Sequence, residues 1–560
     1  MKIKVIMKAV ALMVVLVMMF TGCNSAAPEK TAEPSKSSAS TAAVSTTQET
    51  GAIKNFNPTG YPICPDEKVT LRVLTQTRAE MPSDLNSLPL IQNDEKVMNV
   101  HIEWIQAMGS TFNEKKNLML ATGDLPDIIE TAIPSSDLTK YGPEGVFIPL
   151  NKLIDDYAVN FKKLYQEMPD IEKYITAPDG NIYSLARVNS GPWMPTNGVG
   201  IINKMWLDNL NLSMPTTIEE FENVLRAFKT GDPNKNGIPD EIPMTFSMTG
   251  GSSPISENNG LSYLFSSFGF AVGNSPTEAY ADVKDGKVIC QATQPEFKEA
   301  IAWISKLYGE GLIDVEGFTL KNADFAAKIN LEPGIIGYTQ LWDKNDTVSN
   351  PTNNAAFQYM PLLKGPGGRT PVFFKAVLPG TVRGWGEITS ACKTPEVAIR
   401  WLDYFFDETN AIEHIEGPIG VRVLENPDGT LYVRKPPEGK SIAEDRFSNC
   451  NAGILAMPPS AYTNRLKLPS TDEKVNFINT FMEDLKDKDP FPPVFYSAEE
   501  AGEMNKLQND IFNLIESKAS SWIMNGTIDA EWDAFLKELD KAGLEKWLSI
   551  KQAAYDRFVK

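Results

Sequence analysis

Hydrophobic and polar positions alternate with a period of two over Val69-Thr70-Leu71-Arg72-Val73-Leu74, and again over Val100-His101-Ile102-Glu103-Trp104-Ile105. This pattern predicts two strands. The residues between them, Leu85 to Val97, predict a helix. Thr111-Phe112-Asn113-Glu114 fits a capping box, opening a helix that stops at Gly123. Leu125-Pro126-Asp127-Ile128-Ile129 then reads as a short buried strand. Strand and helix alternate, which predicts a parallel α/β sheet. Further along, Thr217 with Glu220 opens a helix through Phe228. Phe297, Ala300, Ile301, Ile304 and Tyr308 share one helical face. Thr394-Pro395 opens a helix holding Ala398, Trp401, Leu402 and Phe405, and the tail from Asp529 reads as two amphipathic helices broken at Gly543.

The N-terminus breaks this pattern. Lys2, Lys4 and Lys8 precede an unbroken apolar run from Ala9 to Phe20, followed by Thr21-Gly22-Cys23. A basic start, a short apolar core and small residues at a junction describe an export signal. The run is too short for a membrane span, which needs ~20 apolar residues. The Phe-Thr-Gly-Cys context resembles a bacterial lipobox, which implies a signal peptide over 1–22 and diacylation of Cys23. An ordinary secretory signal with a chance cysteine is the alternative. Residues 24–53 are rich in Ser, Thr, Ala, Glu and Lys and cannot bury enough surface to fold. With Cys23 they make residues 23–66 a flexible tether to an extracytoplasmic membrane surface.

Composition narrows the partners. The 560 residues carry a formal net charge of −19, which disfavours nucleic acid and anionic lipid surfaces. Cys64, Cys290, Cys392 and Cys450 form no Cys-x-x-Cys pair. That argues against a zinc ribbon or thioredoxin motif. Export permits a disulfide, yet buried free thiols fit equally well.

The order of motifs is specific. After the lipobox and tether comes Ala121-Thr122-Gly123-Asp124-Leu125-Pro126-Asp127-Ile128. Then follow Pro178-Asp179-Gly180-Asn181-Ile182-Tyr183-Ser184-Leu185 and Ile201-Ile202-Asn203-Lys204-Met205-Trp206-Leu207. The helix from Lys393 to Phe405, Phe491-Pro492-Pro493, and Gly543-Leu544-Glu545-Lys546-Trp547 complete the series. Together these resemble the extracellular solute-binding lipoproteins of ABC importers (family 1 type), in the branch of LplA-like and alginate-binding large lipoproteins. The resemblance implies an α/β fold of the two-lobed periplasmic-binding-protein type, with a ligand cleft between lobes joined by hinge strands. The expected lobes are 67–193 plus 362–415, and 194–361 plus 416–560.

The sharpest local motif is Asp232-Pro233-Asn234-Lys235-Asn236-Gly237-Ile238-Pro239-Asp240-Glu241. Oxygen-bearing side chains occupy positions 1, 3, 5 and 9 of a calcium-type loop, with Gly at position 6 and the Ile238 carbonyl at position 7. Position 12 is Pro243 instead of Glu, so Glu241 would close the site. Alginate-binding relatives use this loop type. The expectation is a structural Ca2+ held by Asp232, Asn234, Asn236, Ile238, Asp240 and Glu241; a polar turn without metal is the alternative.

Sugars are apolar on their faces and polar at their edges. Trp193, at the expected lobe crossing, Trp342, after a strand end, and Trp385 are therefore candidate platforms, with Arg383 and Glu257 as polar partners. Core packing is the alternative for each aromatic, and the reading given to Trp303 and Trp401. Catalytic patterns are thin: His101 and His414 are the two histidines, and no nucleophile elbow or Walker loop is present. The expectation is a non-enzymatic, lipid-anchored monomer that captures an oligosaccharide or other small solute for ABC permease subunits. An exported glycosidase or lyase, and a surface sensor or adhesin without transport, are the rival readings.

Overall fold

The computed structural model describes residues 54–560 except 132, 192–197, 248–259, 270–278, 373–377, 379–380, 439, 441, 452–455, 468 and 483–490. Lys54–Lys560 forms one compact unit. Its first sheet starts with β1 (Val69–Thr77), whose alternation puts Leu71, Val73 and Thr75 among its buried residues. Helix α1 (Pro89–Met98) turns the chain back and ends at Asn99 in the left-handed region. It follows a single 3-10 turn at Leu85–Ser87, because Pro89 is accommodated at the first helical position. β2 (Val100–Met108) then pairs parallel to β1, Val69 against Val100 through Thr77 against Met108. Helix α2 (Gly109–Thr122) ends on Gly123 at φ +76. β3 (Ile128–Glu130) pairs parallel to β1 on its other side.

The expected capping box at Thr111 does not form. β2 continues to Met108 and α2 begins directly at Gly109, so Thr111 lies inside the first turn and its hydroxyl donates to the Met108 carbonyl at 3.2 Å. By contrast, Thr217 does cap helix α3 (Ile218–Thr230), accepting from the Glu220 N–H.

β4 (Ala186–Asn189) and β5 (Val199–Asn203) lead to a second sheet. β5 pairs antiparallel with β7 (Ile336–Leu341) and with β8 (Phe357–Tyr359), and β6 (Ile242–Met244) lies parallel to β7. Every residue of β5 and β7 is buried, as expected of strands covered on both faces. α3 and α4 (Pro295–Gly309) pack into this core through Phe221, Leu225, Phe228, Phe297, Ile301 and Ile304. Glu222 on the buried side of α3 is satisfied by the Trp303 indole at 2.8 Å, by Lys306 and by Arg226.

The chain then returns. β9 (Thr381–Arg383) pairs antiparallel with β4, and β10 (Glu387–Ile388) pairs antiparallel with β3, completing the first sheet in the order β10-β3-β1-β2. Helix α5 (Pro395–Tyr404) buries Trp401 in the same core as Val73, Ile128 and Phe161. Residues from 411 to 466 gather around Ile412, Val423, Leu431 and Met457, and β11 (Ala456–Met457) pairs parallel to β4. The C-terminal helices α6 (Ala498–Asn525), α7 (Ile528–Lys541) and α8 (Leu544–Val559) bury Ile515, Trp522, Phe535 and Trp547 in the second core. The segment 416–560 is thus divided, its first part adjoining β4 and its helical tail belonging to the second core.

Gly337 marks the tightest packing of β7 on α3. A Cβ there would lie 2.4 Å from a Phe228 ring carbon and 2.7 Å from the Pro243 carbonyl oxygen. Gly337→Ala is expected to cost about 1–3 kcal/mol of stability in urea unfolding. The cost should fall in a Phe228→Ala background, where the ring is gone; an equal cost in both backgrounds would refute this account.

Candidate functional site

In open α/β sheets ligands bind in the crevice beyond the carboxyl ends of the strands. In the first sheet those ends carry Thr75, Gln76 and Thr77 of β1 and Glu130 of β3. Because β10 runs antiparallel to β3, the residues preceding β10 also arrive there, and Trp385 is among them. Gly384 makes this approach possible: at φ +76 its carbonyl accepts from Ile133 N–H at 2.7 Å, and a Cβ would sit 2.1 Å from the Ile133 oxygen. Trp385 is half-buried, with the Arg187 guanidinium of β4 over its ring at 5.1 Å.

Two glutamates lie at this end of the sheet. Glu130 and Glu387 are 1% and 0% exposed, and none of their carboxyl oxygens has a hydrogen bond of ordinary geometry. Burial drives both far above the usual carboxylate range; the Thr75 hydroxyl and the Trp385 indole oppose this at Glu130. Lys116 opposes it at Glu387, while Asp137 and Glu130 reinforce it. Lys116 is itself buried and paired with Asp137 at 2.7 Å. Burial therefore favours the neutral form of both acids, at the end of the sheet where the Trp385 loop arrives. Neither was singled out from sequence. The signal present was a carboxylate ending the apolar run Ile128-Ile129-Glu130, which does not by itself distinguish a buried acid from a solvated strand end.

Trp342 follows β7 in the other sheet and is half-buried, with the Lys474 ammonium 4.2 Å from its ring centroid. Arg383 is 7% exposed, and the protein itself uses its guanidinium. It donates to the carbonyls of Tyr174 (3.0 Å), Val494 (2.9 Å) and Pro493 (2.6 Å) and to Ser135 Oγ (3.2 Å), and it packs against the rings of Tyr174 and Phe495. Trp193, Glu257 and Cys23 lie outside the described residues.

The 232–241 loop folds around its own oxygens. The Asp232 carboxylate accepts from Asn236 N–H and Gly237 N–H at 3.1 and 3.2 Å, and Asn236 Oδ1 accepts from Ile238 N–H at 2.7 Å. The Asn234 and Asn236 amides donate to Asp240. The Ile238 carbonyl accepts from Asp240 N–H at 2.9 Å. Asp232, Lys235 and Gly237 adopt positive φ, which sets the sharp turn. Glu241 has one carboxyl oxygen buried without a hydrogen bond, and its acid is raised by burial and by the charges of Asp240 and Asp232. Among the described residues no three His, Cys, Asp or Glu side chains converge as a metal centre. This loop's donor set instead mixes carboxylates with amide and backbone oxygens, the chemistry a hard divalent cation accepts.

The four cysteines are free thiols: Cys64, Cys290 and Cys450 are buried and Cys392 half-buried. Burial pushes Cys64 up to about 11 and the other three to about 12, so they are unreactive. His101 is half-buried with Nδ1 2.8 Å from Glu95, and His414 is buried against Asp94 at 2.9 Å, joining the helix Glu408–Glu416 to α1.

Glu130 and Glu387 make a testable linkage. An acid whose folded pKa lies above its unfolded value (about 4.3) contributes stability at low pH that is lost as pH rises toward the folded pKa, with a slope of about 1.4 kcal/mol per pH unit per group. Glu130→Gln and Glu387→Gln should each flatten the fall of melting temperature with pH above about 5. A slope identical to the parent's would show that the acid ionises in the folded state without penalty.

Comparison with known proteins places this geometry in a family. Residues 86–412 match the model of the bacterial extracellular solute-binding proteins. Over 512 residues, 88% of this chain and 91% of the relative, the sequence is 33% identical to the fructooligosaccharide ABC transporter substrate-binding protein FusA of Streptococcus pneumoniae serotype 4. A solved structure of a FusA EF-hand mutant in complex with fructo-nystose superimposes with a TM-score of 0.75 at 32% identity, covering 88% of this chain and 99% of that one. An HMO-binding, ABC-transporter-associated solute-binding protein from Bifidobacterium longum infantis gives a TM-score of 0.79 at 25% identity, covering 88% of this chain and 100% of that one. These relatives are substrate-binding proteins of ABC transporters and not enzymes, which removes the glycosidase and lyase readings. The α/β architecture, the family match through both sheets and the near full-length likeness agree: this chain belongs to the bacterial extracellular solute-binding proteins.

Proposed function

We propose that the protein captures an oligosaccharide and delivers it to an ABC importer whose permease and ATPase are separate chains. The observation that carries this reading is the 33% identity to FusA across 88% of the chain. The half-buried Trp385 at the carboxyl end of the first sheet supplies a surface suited to a sugar face, and Trp342 supplies another beside the second sheet. One lobe is built on the first sheet with 411–466 beside it, the other on the second sheet with α6–α8. Ligand binding would favour a closed arrangement of the two by its differential affinity for that state.

Two finer features belong to the same proposal. The 232–241 loop holds a structural Ca2+, which would neutralise Asp232, Asp240 and Glu241 and give the orphaned Glu241 oxygen a partner. FusA carries a feature described as an EF-hand, which supports this. Cys23 carries the lipid that anchors the monomer at the outer face of the membrane. Among the described residues no helix is long and apolar enough to cross a membrane.

A thermal-shift series tests capture and metal together. A bound oligosaccharide should raise the melting temperature by linkage, by an amount equivalent to about 2.7 kcal/mol at a hundredfold excess over Kd. Trp385→Ala should remove most of that shift. Chelation by EGTA should lower the melting temperature of the parent and leave Asp232→Ala unmoved. If no glycan in a broad panel shifts the parent, capture of oligosaccharides is wrong; if EGTA has no effect, the calcium assignment is wrong. For the anchor, Cys23→Ala should release the protein into the medium with its ligand affinity unchanged. Continued retention in the membrane fraction would contradict lipidation at that residue.

A further inference from the structure

Guanidinium groups gather at the Trp385 platform, and Arg187 and Arg78 among them have no carboxylate partner among the described residues. Arg187 stands over the indole, with its Nε buried and without a hydrogen bond. Arg78, just past the end of β1, lies over the Phe447 ring at 5.0 Å, and Arg446 lies 5.5 Å from the same ring. Tyr462 faces both Arg187 and Arg446, and its hydroxyl donates to Asn189 Oδ1 at 2.7 Å. Three separate parts of the chain therefore bring positive charge to one aromatic-lined place: the end of β1, strand β4, and the helix Ile442–Phe447.

The local charges do not balance. Among the described residues, Arg78 and Arg187 have no carboxylate within ion-pair distance. Arg446 is partly satisfied: its Nε donates to the Ile415 carbonyl, and Glu416 lies at 4.0 Å, although that carboxylate is held more closely by Arg422 at 2.9 Å. Asp445, the next acid, is taken by Arg422 and Arg434. Burial and the like charges of Arg446 and Arg78 bring Arg187 down to about 10. A protein with a net charge of −19 has carboxylates in excess to offer these groups, yet Arg78 and Arg187 have none within ion-pair distance among the described residues. The contrast with Arg383, whose guanidinium is filled by three carbonyls and a hydroxyl, shows what a structural arginine looks like in the same fold. An unpaired guanidinium laid on an indole has its in-plane N–H groups free for a planar bidentate acceptor, while the aromatic surface beside it suits the apolar face of a pyranose.

We propose that Arg187, flanked by Arg78 and Arg446 beside Trp385, receives the carboxylate of a uronic-acid residue, so that the solute is an acidic oligosaccharide. This rests on the reading of the protein as an oligosaccharide receptor and specifies the substrate class of that site.

The test is calorimetric titration of the full mature chain with oligogalacturonides and oligoalginates, each against its carboxyl-reduced neutral counterpart, with kestose as a neutral fructan. At least one acidic oligomer should bind about 10- to 100-fold more tightly than its reduced form, the gap expected for a charge-assisted hydrogen-bond pair. The gap should narrow as salt is raised. Arg187→Gln should close it, the affinity for the acidic oligomer falling to that of its reduced form. Arg187→Lys, which keeps the charge without the fork, should retain part of it and guards against a folding defect in the glutamine variant. If kestose or a carboxyl-reduced oligomer binds as tightly as any acid, with Arg187→Gln unchanged, the acidic class is overturned and the receptor reading stands. If no glycan of either class binds, both are overturned.

Discussion

Arg383 holds the two halves of this molecule together. Its backbone lies in β9, paired to β4 opposite Ala186, and its side chain leaves the sheet to collect three carbonyls and a hydroxyl from three other segments. Moving a guanidinium into a site only 7% exposed costs several kcal/mol unless its donors are satisfied. Here they are, and the flat faces are covered by Tyr174 at 4.1 Å and Phe495 at 3.9 Å. Pro493 and Val494 stand just before α6, whose capping box at Ser497 and Glu500 starts the long helix that reaches Trp522 in the second core. The residues that close the second core are thus pinned to the sheet β9-β4-β11 by one buried cation. The same residue sets the start of the turn through Gly384 to Trp385, so the position of the aromatic platform follows from the clamp two residues earlier.

This explains what the sequence could and could not convey. The strands at Val69 and Val100, the stops at Gly123 and Gly543, and the cap at Thr217 were legible because each depends on a few neighbouring residues. The box at Thr111 was misread because a local cap competes with strand extension, and pairing of β2 with β1 through Met108 won. The polar residues around Trp385 were harder. Arg383 and Arg187 are both arginines in short strands of the same sheet, β9-β4-β11. One is enclosed by backbone carbonyls that lie 110 residues away in the chain, the other is left open against an indole. No spacing rule separates them, because the difference lies in what long-range folding brings to each. The upward shift of Glu130 and Glu387 is hidden for the same reason: it arises from burial at a strand end met by a segment that returns more than 250 residues after β3.

The arrangement of charge also bears on how an acidic ligand could approach a protein with a net charge of −19. At physiological ionic strength the Debye length is about 8 Å, so the diffuse repulsion between like-signed molecules is strongly weakened over the distances of approach. Contact is governed instead by groups within a few ångströms. At 4 Å an ion pair in an environment of effective dielectric 20 gains about 4 kcal/mol, against about 1 kcal/mol in bulk water. Arg187 is half-buried against Trp385, and burial shifts the acids at the same end of the sheet, Glu130 and Glu387, toward their neutral forms. Ionised carboxylates at those two positions would offset the arginines from below. The shift toward the neutral form weakens that offset, and the acids nearest Arg446, Glu416 and Asp445, are already paired with Arg422. Burying two acids at this end of the sheet and leaving Arg78 and Arg187 without carboxylate partners therefore act in the same direction. Each makes the mouth of the first sheet more favourable to an anion than the overall charge of the chain would suggest.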